Sequence, residues 1–125
     1  MQLEDIFSAI AEQDRGRELD LLHPATGEPT GIKLTIAGPD SDTARRARLR
    51  LMDELAELSG ADGRVSAEKR EAARHNYLAA LVLRLDAIEA GEAVPSTAAN
   101  ILRLLRVTWV EQQVDAFAGD RRNFA

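Results

Sequence analysis

Apolar residues recur at two different periods along the chain and divide it into helices and a short β-rich region. The first apolar residues lie at helical spacing between acidic side chains: Leu3, Ile6, Phe7 and Ile10. This pattern predicts an amphipathic helix over residues 2–14. Apolar and polar residues then alternate at 18–21 and 32–36, which is typical of half-buried strands. Between them, HPATGEPTG (23–31) is rich in turn residues, so we predict a β-hairpin over about residues 17–37.

A second helix is predicted after the hairpin. Asp40 or Ser41 is expected to cap its start, and Gly60 and Gly63 are expected to end it. Its apolar stripe recurs at steps of three and four: Ala44, Ala47, Leu51, Leu55 and Leu58. One face of this helix is therefore expected to lie on the core.

A third helix is predicted from the cap residue Ser66 to about Ala90, before the helix breakers Gly91 and Pro95. Its middle, YLAALVLRL (77–85), is apolar on almost every side. A helix that is hydrophobic all round is usually buried, so we expect this segment to be the central buried helix.

Two shorter helices are predicted near the C-terminus. Ser96 or Thr97 is expected to begin one that runs from Ala98 to about Leu105. Thr108 and Glu111 have the spacing of a capping box, which predicts the start of the other. The apolar stripe of the last helix is Val110, Val114 and Phe117, with Phe124 seven residues further on.

Together these elements predict an α+β, mainly α fold. It has an N-terminal helix, one β-hairpin and then about four helices packed around the central buried helix. With 125 residues, the chain has the length of a single domain. We expect that domain to cover residues 1–125, with the helical body at about 40–120.

Composition narrows the function classes. The net charge of −5 argues against a nucleic-acid partner, because such partners usually meet a basic face. The chain has no cysteine, which excludes disulfide and thiol chemistry. No secretory signal or membrane span is apparent in the sequence, so we expect no membrane partner and a cytoplasmic location.

The sequence contains no recognisable catalytic or metal-binding motif. There are two histidines, His23 and His75, and neither belongs to a zinc-ligand pattern. Strings typical of nucleophile elbows, P-loops and dinucleotide sites do not occur. We therefore predict no catalytic, cofactor or metal residues, no cofactor and no enzymatic activity.

One turn leaves a metal-binding alternative open. ADGRVS (61–66) resembles the helix–turn of the tellurite-resistance B-type helical domains, whose acidic residues near such turns are thought to bind metal. The resemblance implies a small metal-binding helical domain that uses Asp62. An Asp-Gly turn followed by the cap residue Ser66 explains the same letters structurally.

The one basic cluster consists of Arg45, Arg46, Arg48 and Arg50. Successive residues on a helix are about 100° apart, so these side chains spread around the solvent side of the second helix. With Glu54 and Glu57 nearby, a solvated, salt-bridged face accounts for them. The functional alternative is an acidic protein partner.

Two blocks of sequence resemble the tail assembly chaperones of long-tailed bacteriophages and related prophages. The first is LHPATGEPTGIKLTIAGPDSD (22–42), and the second is WVEQQVDAFAGDRRNF (109–124). The second block matches the pattern W-x-x-x-Q-[VI]-D-x-x-x-x-[DN]-R-x-N-F. In the middle, where such proteins often carry a tryptophan and an acid pair, this chain has VLRLD (82–86).

The resemblance implies a non-enzymatic chaperone that binds the tape-measure protein in the host bacterial cytoplasm and promotes tail-tube assembly around it. The tail-tube protein and a second copy are further possible partners, and the chaperone is not expected in the mature virion. The resemblance also implies that many such chaperones are made in a short form and in a longer form produced by ribosomal frameshifting near the end of the short reading frame. A chain that stops just after the terminal block would correspond to the short form. The residues expected to bind the partner are Trp109, Gln113, Phe117 and Phe124. Another phage tail or head–tail adaptor remains an alternative.

Overall fold

The computed structural model describes residues 1–125 and has two regions of β-strand, one after the first helix and one after the third. In chain order the elements are α1 (Leu3–Arg15), β1 (Arg17–Leu22), β2 (Pro29–Ile36), α2 (Asp42–Leu58), α3 (Ala67–Leu81), β3 (Val82–Asp86), β4 (Ile88–Glu89), β5 (Glu92–Ala93), α4 (Ala98–Leu105) and α5 (Thr108–Ala118), followed by a 3₁₀ turn at Arg121–Phe124. The predicted α+β, mainly α class is confirmed, with four α-helices after the hairpin.

The hairpin predicted from the alternating pattern is present as β1 and β2. It belongs to a three-stranded antiparallel sheet in the order β1-β2-β3. On one face Leu21, Leu34 and Ile36 are fully buried. On the other face Lys33 Nζ lies 3.4 Å from Glu18 Oε1. The polar face of the sheet therefore carries a cross-strand charge pair.

The predicted long third helix is wrong beyond Leu81. The helix ends there, and Val82–Asp86 forms the third strand instead of the second half of a central buried helix. Leu34 pairs with Leu85 and Ile36 pairs with Val82, so the main chain of β3 completes its hydrogen bonds on β2. A short apolar run has no period that separates a buried strand from a buried helix, which is why the pattern misled.

A bulge explains why β3 shows no alternation in its sequence. Thr35 pairs with Arg84 and Ile36 with Val82, which leaves Leu83 as an extra residue. The extra residue shifts which side chains of the strand point towards the core. As a result, Val82 and Leu85 are both buried while Leu83 is exposed.

A second irregularity in strand pairing lies between β1 and β2, where the side chain of a threonine hydrogen-bonds to the main chain. The Thr30 hydroxyl donates to the Leu21 carbonyl at 2.9 Å, and the Ile32 amide donates to the same hydroxyl oxygen at 3.2 Å. Gly31 between them has a φ of +85°, a conformation that favours glycine. The irregularity keeps Leu21 and Ile32 on the core face.

Serine and threonine caps begin three of the helices as predicted. The side chains of Ser41, Ser66 and Thr97 accept hydrogen bonds from main-chain amides in the first turns of α2, α3 and α4. The capping box predicted at Thr108 is wrong, because Thr108 is the first helical residue and Val107 precedes it without a side-chain cap. Glu111 instead contacts α3.

The core lies between the inner face of the sheet and helices α2 to α5. Its largest fully buried helical side chains are Leu78, Leu105, Val110 and Val114, and Ala44 and Ala47 of α2 belong to the same cluster. They join Leu21, Leu34 and Ile36 in one continuous cluster. The helices thus cover the apolar strand positions, as two strands alone would require.

Helix α1 stands apart from this core. Every residue from Met1 to Ala9 is exposed, and Gln13 is the one buried residue of the helix. Gln13 Oε1 accepts from the Asp40 amide at 2.7 Å, and the Gln13 carbonyl accepts from the Gly38 amide at 2.9 Å. The helix is therefore attached by its last turn, and the rest of it projects as an arm.

The same turn of α1 also caps α2. The Asp14 carboxylate accepts hydrogen bonds from the amides of Asp42 and Thr43 and from the Thr43 hydroxyl. Partial burial raises the pKa of Asp14, but these hydrogen bonds outweigh it and hold the pKa below its ordinary value. The charged carboxylate therefore stabilises the joint between the two helices.

Candidate functional site

An apolar groove opens between the sheet, the β4–β5 hairpin and α4. It has a volume of about 450 Å³, and most of its lining is hydrophobic: Ile32, Leu85, Ala87, Ile88, Val94, Leu104 and Val107. We call this feature the groove.

Three separate elements have to meet to form the groove. Ile32 and Leu85 lie at the end of the inner sheet face. The hairpin that carries Ile88 is held to the end of β3 by the Val94 amide, which donates to the Ala87 carbonyl at 2.9 Å. The Ser96 hydroxyl accepts from the Leu85 amide at 2.9 Å. The segment between β5 and α4 therefore also covers part of the open edge of β3.

The groove is an accessible apolar surface with few polar groups. Ile88 is 79% exposed and Val107 is 40% exposed, although both are large and apolar. The polar lining consists of Glu89, Asn100 and Arg103. Exposed apolar surface of this kind marks interaction sites, and a concave apolar strip fits the apolar face of a helix.

The four partner residues predicted from the sequence lie on α5 and the 3₁₀ turn, where packing accounts for much of their surface. Trp109 and Phe117 are half-buried against the core, and Phe124 is 6% exposed. Val107, which lines the groove, lies two residues before Trp109. Val107 precedes α5, and none of the four predicted partner residues lines the groove.

Gln113 is engaged within the chain. Its Nε2 donates to the Leu22 carbonyl at 2.8 Å, and the Leu22 amide donates to its Oε1 at 2.9 Å. The side-chain amide therefore takes the place of a neighbouring strand at the open edge of β1. An edge that is paired in this way is protected from pairing with another chain.

Phe117 and Phe124 form an edge-to-face aromatic pair with ring centroids 5.4 Å apart. The Asn123 amide group donates to the Phe117 carbonyl at 3.0 Å, which folds the 3₁₀ turn back onto α5. The ring of Phe124 consequently faces the core, and a partner would reach it only after local rearrangement.

Arg121 ties the end of the terminal block to the base of α1. Its guanidinium donates to both carboxylate oxygens of Asp40 at 2.8 Å, a bidentate pair. This pair, helped by the Gln13 amide, holds the pKa of Asp40 below its ordinary value. Residues from both ends of the chain therefore meet at one loop.

His75 lies where α3 meets α5 and is buried. Its Nε2 lies 3.1 Å from Glu111 Oε2, and Arg74 contacts Asp115 at 2.7 Å. These pairs fasten the two helices to each other. Glu71 Oε1 is 4.0 Å from the same ring nitrogen, beyond hydrogen-bond distance.

The residues considered for metal binding serve the main chain. Asp62 Oδ1 accepts from the Arg64 amide at 3.0 Å, which is the pattern of an Asx turn. His23 Nδ1 accepts from the Ala25 amide at 3.1 Å within the hairpin loop. Nowhere do three His, Asp or Glu side chains converge into a cluster that could hold a metal ion.

Comparisons of the chain with protein-family models, with curated proteins and with solved structures find no match. None of its helices has the length and apolar character that crossing a membrane would require.

Sequence reasoning missed the groove. Ile32 and Leu85 are visible as apolar residues, but their meeting depends on the pairing of β2 with a strand that the pattern assigned to a helix. The one available signal was Gly91, three residues after Ile88, which has a φ of +80° in the turn between β4 and β5.

Proposed function

We propose that this protein is a non-enzymatic tail assembly chaperone of a long-tailed bacteriophage or prophage. It binds the tape-measure protein in the host bacterial cytoplasm, promotes assembly of the tail tube and is released before the virion is complete. The two resembling blocks at 22–42 and 109–124 supply the sequence support.

The observation that carries the proposal is the groove. A tape-measure protein is long, helical and apolar before assembly, so its chaperone needs an open apolar surface on a stable body. Ile88 and Val107 offer such a surface without weakening the core, because both are exposed in the folded chain. The net charge of −5 keeps a complex with an apolar partner in solution.

Partner binding is assigned to the groove together with the start of α5. Trp109 is half-buried two residues after Val107, and we assign its remaining surface to the same partner. Gln113, Phe117 and Phe124 contribute by holding the hairpin edge and the 3₁₀ turn in place. Their role in binding is therefore to support the surface that the partner contacts.

Co-expression with a tape-measure protein, which the proposal expects to be encoded beside this chain, tests the proposal. The wild type should keep that protein soluble and co-purify with it, whereas Ile88→Glu and Val107→Glu should abolish both effects. Leu83→Glu is the matched control for Val107→Glu, since Leu83 is 42% exposed and lies outside the groove. Unchanged co-purification of both groove variants, or none by the wild type, would overturn the proposal.

Mass spectrometry of purified particles separates the chaperone from a tail or head–tail adaptor. A chaperone should be present in infected-cell lysate and missing from particles. Stoichiometric recovery from particles would identify an adaptor instead.

A further inference from the structure

The β4–β5 hairpin, residues 88–93, forms one wall of the groove through Ile88 and Glu89. We call this hairpin the wall. Each of its strands has two residues, and every residue of the wall is exposed. A two-stranded hairpin of this kind is at best marginally stable by itself. The position of the wall therefore depends on the residues that attach it to the rest of the fold.

Two features inside the wall weaken it further. Ala90 has a φ of +52°, a left-handed conformation that is strained for a residue with a side chain. Glu89 lies directly opposite Glu92 in the strand pairing, and like charges in such a pair repel each other. Segments with little buried surface and unfavourable internal contacts open at a low free-energy cost. The wall thus has little stability of its own.

Two side chains outside the wall hold its base. Asn100 Nδ2 donates to the Pro95 carbonyl at 2.9 Å, and Asn100 lines the groove from the first turn of α4. The Ser96 hydroxyl accepts from the Leu85 amide. Pro95 and Ser96 lie between the wall and α4. Asn100 therefore ties the base of the wall to the opposite side of the groove, and Ser96 ties it to the sheet.

We infer that the wall is movable, that Asn100 positions it, and that the groove adjusts its width to the side chains of the segment it binds. The inference rests on the proposed function for the occupant, an apolar helical segment. Adaptable surfaces bind several partner sequences because they can repack around each of them. The groove consequently accepts a class of apolar helices that differ in side-chain size instead of one fixed sequence.

Amide hydrogen exchange measured by NMR tests the positioning role of Asn100 without any partner. Asn100→Asp keeps the size of the side chain and suits the first turn of a helix, but it removes the Nδ2 donor. The Val94 amide, which donates to the Ala87 carbonyl and not to Asn100, should then exchange at least about tenfold faster. The amides of β2 should keep the wild-type rate, because the core is untouched.

Asn123→Asp is the matched control, because Asn123 Nδ2 also donates to a main-chain carbonyl but lies on the 3₁₀ turn. It should leave the exchange of the Val94 amide unchanged. A Val94 rate that does not change in Asn100→Asp would overturn the positioning role. Equal acceleration at β2 would do so as well, since the substitution would then act on the whole fold.

A stiffened wall tests the motion in the opposite direction. Ala90→Gly removes the strain at the left-handed position, and Glu92→Lys places opposite charges across the hairpin. The double variant should slow the exchange of the Val94 amide at least about threefold relative to the wild type. A rate that stays at the wild-type value would show that the wall is already fixed and would overturn the inference.

Two synthetic amphipathic helical peptides without net charge test the breadth of binding. They differ at one central apolar position, which is Ala in one peptide and Trp in the other. The wild type should bind both with dissociation constants within about tenfold of each other, whereas the stiffened double variant should bind the Trp peptide at least about tenfold more weakly than the wild type does. Equal binding of the Trp peptide by the two proteins would overturn the adjustment of width.

The two tests separate this inference from the proposed function. Hydrogen exchange requires no partner, so it decides whether the wall moves even if the chain is not a chaperone. If neither peptide binds the wild type, the groove is not a helix-binding surface, and both the proposed function and the breadth of binding are overturned.

Discussion

The side-chain amide of Gln113 forms two hydrogen bonds with the main chain of Leu22, a residue 91 positions earlier in the sequence. This pairing gives the open edge of β1 a partner that comes from a helix. It also explains why a polar residue in the middle of α5 matters for the hairpin. The first prediction follows from it.

We expect Gln113→Ala to lower the free energy of unfolding by about 1–2 kcal/mol, since two main-chain groups lose their partner. Urea denaturation followed by circular dichroism measures this loss. Gln112→Ala is the matched control, because Gln112 is exposed on the same helix. Equal stability of the two variants would show that water replaces the amide at no cost.

The second prediction concerns Phe124 and Trp109. Phe124→Ala removes a buried ring and its edge-to-face partner contact, so we expect a loss of about 3 kcal/mol in unfolding free energy. Trp109→Ala should cost less, since Trp109 is half-buried. If the proposed function holds, it should also weaken capture of the proposed tape-measure partner while helicity is kept. If both variants unfold, the two residues are core, and the groove alone would carry binding.

The third prediction uses the pKa of Asp40, which Arg121 holds below its ordinary value. A carboxylate with a lowered pKa stabilises the fold while it is charged, and that stabilisation is lost as the pH falls through the folded-state pKa. Asp40→Asn should therefore be less stable than the wild type at neutral pH, by about 0.5–1 kcal/mol for a largely exposed pair.

The difference between Asp40→Asn and the wild type should begin to shrink below about pH 4, where the carboxyl of the unfolded chain takes up a proton, and should close as the pH falls through the lower pKa of the folded state. Denaturation curves collected from neutral pH down to about pH 3 measure this convergence. Asp53→Asn is the control, because Asp53 is exposed and has no ion-pair partner. A constant difference at all pH values would contradict the assigned role of the charge.

The fourth prediction distinguishes a strand from a helix at residues 82–86. Leu85 is buried on the inner sheet face, so Leu85→Ala should cost about 2–5 kcal/mol. Leu83 is the exposed bulge residue, so Leu83→Ala should change the stability by less than about 0.5 kcal/mol. Thermal or urea denaturation compares the two leucines, and similar losses at both positions would argue against the bulge.

The parts of the fold that sequence could predict are those decided by local chemistry. The helical stripes of α2 and α5, the turn residues of the hairpin and the caps Ser41, Ser66 and Thr97 all act within a few residues. They were predicted at or near their observed positions.

The parts that sequence could not predict depend on distant pairing. Strand β3 forms because β2 offers it hydrogen-bonding partners, and the bulge at Leu83 erases the alternation that would have revealed it. The groove follows from that pairing and was missed with it. For α1 the pattern correctly indicated an apolar face, but a pattern does not show whether anything covers that face.

Helix α3 passes into β3 without a linking residue, since Leu81 is the last helical residue and Val82 begins the strand. A deletion or insertion of one residue in this stretch would turn the helix by about 100° or exchange the two faces of the strand. Homologous chains should therefore keep a constant length between Ser66 and Asp86. Variation in length should instead collect in the exposed loops at residues 23–28 and 59–65.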